Sequence, residues 1–218
     1  MTVAELIIRV RHLLQDDGVR WTDAELVQWL NDGQRVIVIN KPQANAVTSA
    51  FSCAAGVLQE LPAGGLQLLD VTHNSSGTQR SIRLVPRASL DAESPTWRAA
   101  TRGTEVRAYC YDDRTPRVFH VWPPVQATTS IEIVYSASPA EVTIESTALS
   151  LDDVYIPALI DYVAYRAYSK DAEYAQSGAR VALHRDAFAT ALGLRRLVEN
   201  TEGPRTAVAR EQPTAGAA

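Results

Sequence analysis

The sequence predicts an α+β fold. A four-helix domain is assembled from a helix pair at each end of the chain, with an antiparallel β-sandwich or barrel-like domain inserted between the pairs and an extended C-terminal tail. Three observations carry this. Apolar residues recur at helical steps over residues 1–45 and again over 149–194. Between them, over 46–148, the period changes to two and short runs are separated by turn residues. Beyond Leu194, the segment 195–218 has little apolar content, so it lacks the means to order itself.

The first helix is expected from Thr2 to Gln15, with Leu6, Ile7, Val10, Leu13 and Leu14 as its stripe, Thr2 as its cap and Gly18 beyond its end. Thr22 and Glu25 have capping-box spacing, so the second helix starts at Asp23 and runs to Pro42. Gly33 in mid-helix costs about 1 kcal/mol against Ala, which marks a close approach of another helix.

Six strands are expected: Val47–Cys53, Leu66–His73, Ile82–Val85, Glu105–Tyr111, Arg117–Trp122 and Ser130–Tyr135. Gly64-Gly65, Asn74 to Gly77, Asp112 to Pro116 and Pro123-Pro124 read as the turns between them, and Ser89–Ala92 as a helical turn.

The stretch from Leu149 to Gly193 organises the chain. Asp152 and Asp153 supply cap chemistry and Pro157 suits a first helical turn. Ile156, Leu159, Ile160, Val163 and Ala167 form one apolar face, while Ala158, Tyr165 and Tyr168 lie off it. A helix apolar on two faces has neighbours on both, so one or both of Tyr165 and Tyr168 are expected to meet the inserted domain or a second copy of the chain. Arg166 lies beside Leu159 and Val163 and needs a partner: Glu25, Asp32, Glu173 or a group across a subunit boundary. A last helix carries Tyr174, Val181, His184, Phe188 and Leu192, with a bend at Ser177-Gly178 and Gly193 as its terminal cap.

Composition narrows the function. The 218 residues carry a net charge of −4, which argues against general affinity for nucleic acid. No apolar run is long enough to span a membrane, and Glu5, Arg9 and Arg11 spoil a signal-peptide reading of the N-terminus. Cys53 and Cys110 are far apart in strand-like contexts and are expected as packed, reduced thiols. His12, His73, His120 and His184 show no metal-ligand spacing, and no nucleophile elbow, phosphate loop or dinucleotide fingerprint is present. No catalytic residue, cofactor or metal is therefore assigned. Asp112-Asp113 and Asp152-Asp153 read as a hairpin tip and a helix cap.

Beside these readings stands a resemblance. WTDAELVQWLNDGQRVIV, PTW, PRVFHVWPP, IEIVYSASP and ALIDYVAYRAYSKDAEY occur in this order, and at similar spacing, in head-to-tail adaptor (connector) proteins of tailed bacteriophages. The likeness covers most of residues 1–193 and is nearest to the tail tubular A or upper-tail adaptor proteins of short-tailed phages. The resemblance implies a structural protein of the virion neck, made in the host cytoplasm. It implies a homo-oligomeric ring, usually of twelve copies, between the portal and a tail nozzle or hub. Genome DNA would pass through its lumen in packaging and ejection without sequence-specific binding. Arg195, Arg196, Arg205 and Arg210 give the tail a positive bias, and the tail is expected to dock along the portal. Two other readings stand beside this one: a virion-associated enzyme or wall-binding module using an aromatic β surface, and a DNA-binding regulator using Asp23–Ile39 as recognition helix. Asp23 and Glu25 would repel phosphates at the front of that helix.

Overall fold

A computed structural model describes residues 1–146, 148–170 and 177–193. It is a mixed α and β structure. By packing, the described residues divide into two compact units, Met1–Thr48 with Leu61–Leu69 and the chain from Val134 to Gly193, and Ser49–Glu60 with Asp70–Ile133. The division falls within three strands.

In the first unit, α1 (Val3–Leu14) and α2 (Asp23–Asn40) each begin with a full capping box: Thr2 with Glu5, and Thr22 with Glu25. Helix α1 ends at Leu14, next to the expected Gln15. Gln15 takes the left-handed conformation, with φ of 53°, and its N–H bonds to Arg11 O. Arg11 then ties the turn together by pairing with both Asp16 and Asp23.

Helix α4 (Ile156–Lys170) is the centre of this unit. Leu159, Val163, Ala164 and Ala167 are fully buried. They share one core with Leu6 and Val10 of α1 and with Leu26, Leu30 and Ile37 of α2. Helix α5 (Ser177–Ala191) packs on α4 as well and adds Phe188 and, just past its end, Leu192 to the same core. The neighbours that cover two faces of α4 are thus helices of its own unit. Ser177-Gly178 is the start of α5 rather than a bend, Gly193 has a positive φ just past its end, and Tyr174 lies outside the described residues. Asn31 of α2 clamps the returning chain: its Nδ2 donates to Val142 O at 3.0 Å and its Oδ1 accepts from Val142 N at 2.9 Å.

Among the described residues, seven strands form two sheets. They are β1 (Ala46–Ser52), β2 (Gly56–Glu60), β3 (Gly65–Asn74), β4 (Arg83–Leu84), β5 (Ala108–Tyr111), β6 (Val118–Val125) and β7 (Ser130–Ala137). Strand order is β1-β7-β3 in one sheet and β2-β6-β5-β4 in the other. The second sheet is mixed, because β4 pairs parallel with β5. That corrects the expectation of an all-antiparallel β region.

In the second unit, β5 reads as an unbroken apolar run, AYCY, because both its faces are covered. Tyr109 lies opposite Val121 and Tyr111 opposite Phe119, on one face. Cys110, opposite His120, turns to the other face. There it joins Leu90 of α3 (Arg87–Glu93) and Trp97 in a small separate core. Strand β6 runs through Pro123-Pro124 instead of stopping there. The register against β2 shifts between Gly56 and Leu58, near these prolines, which supply no N–H to the ladder.

Candidate interaction surfaces

The residues singled out on α4 fall into different environments. Asp152 accepts a hydrogen bond from Val154 N at 3.2 Å and so starts the turn that leads into α4. One turn in, Tyr162 is buried and lies against Gly33 of α2. Its hydroxyl accepts from Arg166 at 3.3 Å. Among the acids considered for Arg166, Glu25 pairs with Lys170 and Asp32 with Arg35, while Glu173 lies outside the described residues. Arg166 itself is half-buried.

Tyr165 is half-buried, with its ring edge-on to Tyr162 at 6.0 Å. Tyr168 differs. It is 6% exposed and belongs to the core of the helical unit. Its ring stacks on His184 of α5 at 5.6 Å, meets Trp21 edge-on at 6.4 Å, and has the Arg180 guanidinium 5.4 Å from its centroid. Tyr168 therefore belongs to the core and not off its stripe, because α5 covers that face of α4. The angular stripe counts one neighbouring face, and α4 has several. His184 completes the α4–α5 junction through Nδ1, 2.9 Å from Asp161 Oδ1.

Arg195, Arg196, Arg205 and Arg210 lie outside the described residues.

Cys53 and Cys110 are free and buried. Burial pushes the Cys53 thiol up to about 11 and raises Cys110 as well, so neither is poised as a thiolate nucleophile. Asp112 is held at about 2 by its side-chain bonds to Arg114 at the hairpin tip. Asp153 lies 3.6 Å from the N-terminal amine. Among the described residues, no group of three or more His, Cys, Asp or Glu could hold a metal ion, and no helix is long and apolar enough to cross a membrane. Helix α2 commits Asp23 to Arg11, Glu25 to Lys170, and Leu26, Leu30, Gly33, Gln34, Ile37 and Val38 to burial. Its first turn presents carboxylates, which disfavours a groove-reading role.

Sequence reasoning missed the amides that hold backbone. Asn74 is 1% exposed; it donates to Val106 O at 2.8 Å and to Arg80 O at 3.0 Å, and accepts from Val106 N at 2.8 Å. Gln59 makes a similar two-bond clamp on Ala54. Asn in a turn cluster carries no signal that separates this role from ordinary turn chemistry.

A set of capped helices, clamped loops and engaged acids describes a scaffold, and comparison with known families agrees. Residues 1–211 match the SU10 adaptor protein family. The chain belongs to that family. It is thus a bacteriophage adaptor with a structural role, a component of the virion that works through contacts with other head and tail proteins. The match continues past α5 through the segment that holds Arg195, Arg196, Arg205 and Arg210. No curated protein matches this adaptor.

Proposed function

We propose that this adaptor forms a closed ring of copies between the portal and a tail nozzle or hub, and that genome DNA passes through the ring in packaging and ejection. The observation that carries the reading is the family match over residues 1–211, joined to the ordered resemblance to tail tubular A and upper-tail adaptor proteins. The scaffold character of the helical unit supports it. The net charge of −4 also supports it, since a conduit must let DNA slide without holding it.

Within the ring, the half-buried Tyr165 and Arg166 form part of the contact with the neighbouring copy. The segment from Arg195 onward extends to the portal, where Arg195, Arg196, Arg205 and Arg210 meet acidic groups. Binding there supplies the ordering free energy that the segment's own composition does not. The test is to mix purified portal rings with the full chain and with a chain truncated after Leu194, and to weigh the complexes. The full chain should join the portal in a fixed ratio and the truncated chain more weakly. Equal binding by both would remove the tail from the docking scheme, and no binding by either would remove the portal as partner.

A further inference from the structure

The β unit carries a cleft that no part of the adaptor scheme uses. It has a volume of about 580 Å³ and lies between α3 and the β5–β6 hairpin, within the usual size range of ligand sites. Its apolar or neutral lining includes Pro86 and Ala88 at exposed positions and Cys110, Val118 and His120 deeper in the β5–β6 hairpin. Three charged residues line it: Arg87, Asp91 and Asp112.

The charges are not equally committed. Asp91 Oδ1 accepts from Trp97 Nε1 and from Arg98, each at 2.8 Å. Asp112 is taken by Arg114 through both carboxylate oxygens and the backbone N–H. Both acids are thus engaged by groups that do not line the cleft. Arg87 reaches Asp91 through Nε at 4.0 Å, too long for a hydrogen bond, and its side chain is 55% exposed. The guanidinium fork is not spent on that contact. The positive field reaches the floor: His120 is held below the usual imidazole range by burial first, then by Arg98 and Arg87. A neutral imidazole leaves the floor free of a competing charge.

We propose that this cleft docks an extended acidic segment of a partner protein, an apolar side chain filling the space over Cys110 and Val118 and an adjacent carboxylate meeting the Arg87 fork. A planar guanidinium matches a carboxylate through two parallel bonds, and an apolar floor supplies the remaining burial. The inference is independent of where the adaptor sits in the virion.

The test uses the full chain, isotope-labelled, titrated with acetyl-Gly-Leu-Glu-Leu-Gly-amide and with the matching peptide that carries Lys for Glu. Saturable shifts at Ala88, Cys110 and His120 are expected with the acidic peptide. Arg87→Glu should weaken that binding by about tenfold or more, the loss of one charge-assisted pair. Arg87→Lys should restore part of it. Ala88→Glu, also at an exposed position of α3, should weaken it as well, and all three variants should keep the parent spectrum elsewhere. Equal or tighter binding of the Lys peptide would overturn the proposal. So would shifts that ignore Arg87→Glu, or no shifts with either peptide at millimolar concentration.

Discussion

Gly33 of α2 and Leu159 of α4 approach so closely that a Cβ on Gly33 would lie 2.7 Å from Leu159 Cδ1, and 2.8 Å from the Tyr162 ring. Both neighbours are buried, so neither can swing away into solvent. The glycine that weakens α2 as an isolated helix is what lets α2 lie flat on α4.

Gly33→Ala is therefore expected to lower stability despite a better helix propensity. Overpacking costs about 1–3 kcal/mol and propensity returns up to about 1, so a net loss near 1–2 kcal/mol is expected in urea unfolding. Gly178→Ala supplies the contrast. It lies near the start of α5, where a Cβ would meet nothing within 4 Å among the described residues, and should leave stability unchanged or raise it by some tenths to about 1 kcal/mol.

That pair shows how much could be read in advance. The helix start at Asp23, the close approach at Gly33 and the α+β class were all legible, because caps, glycine and periodicity are local signals. Strand β2 was not: Gly56–Glu60 alternates weakly and leaves Leu58 56% exposed. The parallel pairing of β4 was also hidden, since it depends on where a two-residue strand lands after a long excursion. The role of Tyr168 needed the position of α5, which no period within α4 encodes.

Asn74→Ala should destabilise the β unit by about 3 kcal/mol, because it leaves the buried Val106 N–H and C=O without their partners. Asn74→Asp should do no better, since a carboxylate keeps the acceptor but cannot donate to Val106 O. Thermal unfolding of the three proteins at one pH measures the order. A loss below about 0.5 kcal/mol, a typical surface effect, would show that the clamp is dispensable.

Cys53 links stability to alkaline pH. Its thiol holds its proton more tightly in the folded chain, because burial raises its pKa from 9.0 to about 11. The contribution is complete below pH 9 and is lost as pH climbs from 9 towards 11, at most about 3 kcal/mol. Tyr109, raised by burial and then by Asp70, adds to the same loss at the upper end. Cys53→Ala should flatten the slope of stability between pH 9 and 10.5 or so. An unchanged slope would show that Cys53 titrates normally, as would fast reaction of the folded thiol with a disulfide reagent at pH 8.

Tyr168 and Tyr165 separate folding from assembly. Tyr168→Ala removes a core ring stacked on His184 and should cost about 3–5 kcal/mol in the isolated chain. Tyr165→Ala should cost less in the isolated chain, where the ring is half-exposed, and more in ring assembly on portals. Chemical denaturation and weighing of portal complexes give the two numbers. If Tyr165→Ala assembled like the parent chain, this residue would carry no contact between copies.

The central claim, a ring of adaptors between portal and tail, is tested most directly by imaging the neck of the assembled virion at a resolution that shows helices. A closed ring directly below the portal is expected, each subunit holding α4 wrapped by α1, α2 and α5, with chain from Arg195 onward running up to the portal. Finding this chain elsewhere in the particle, or as separated copies that do not encircle the DNA path, would contradict the account.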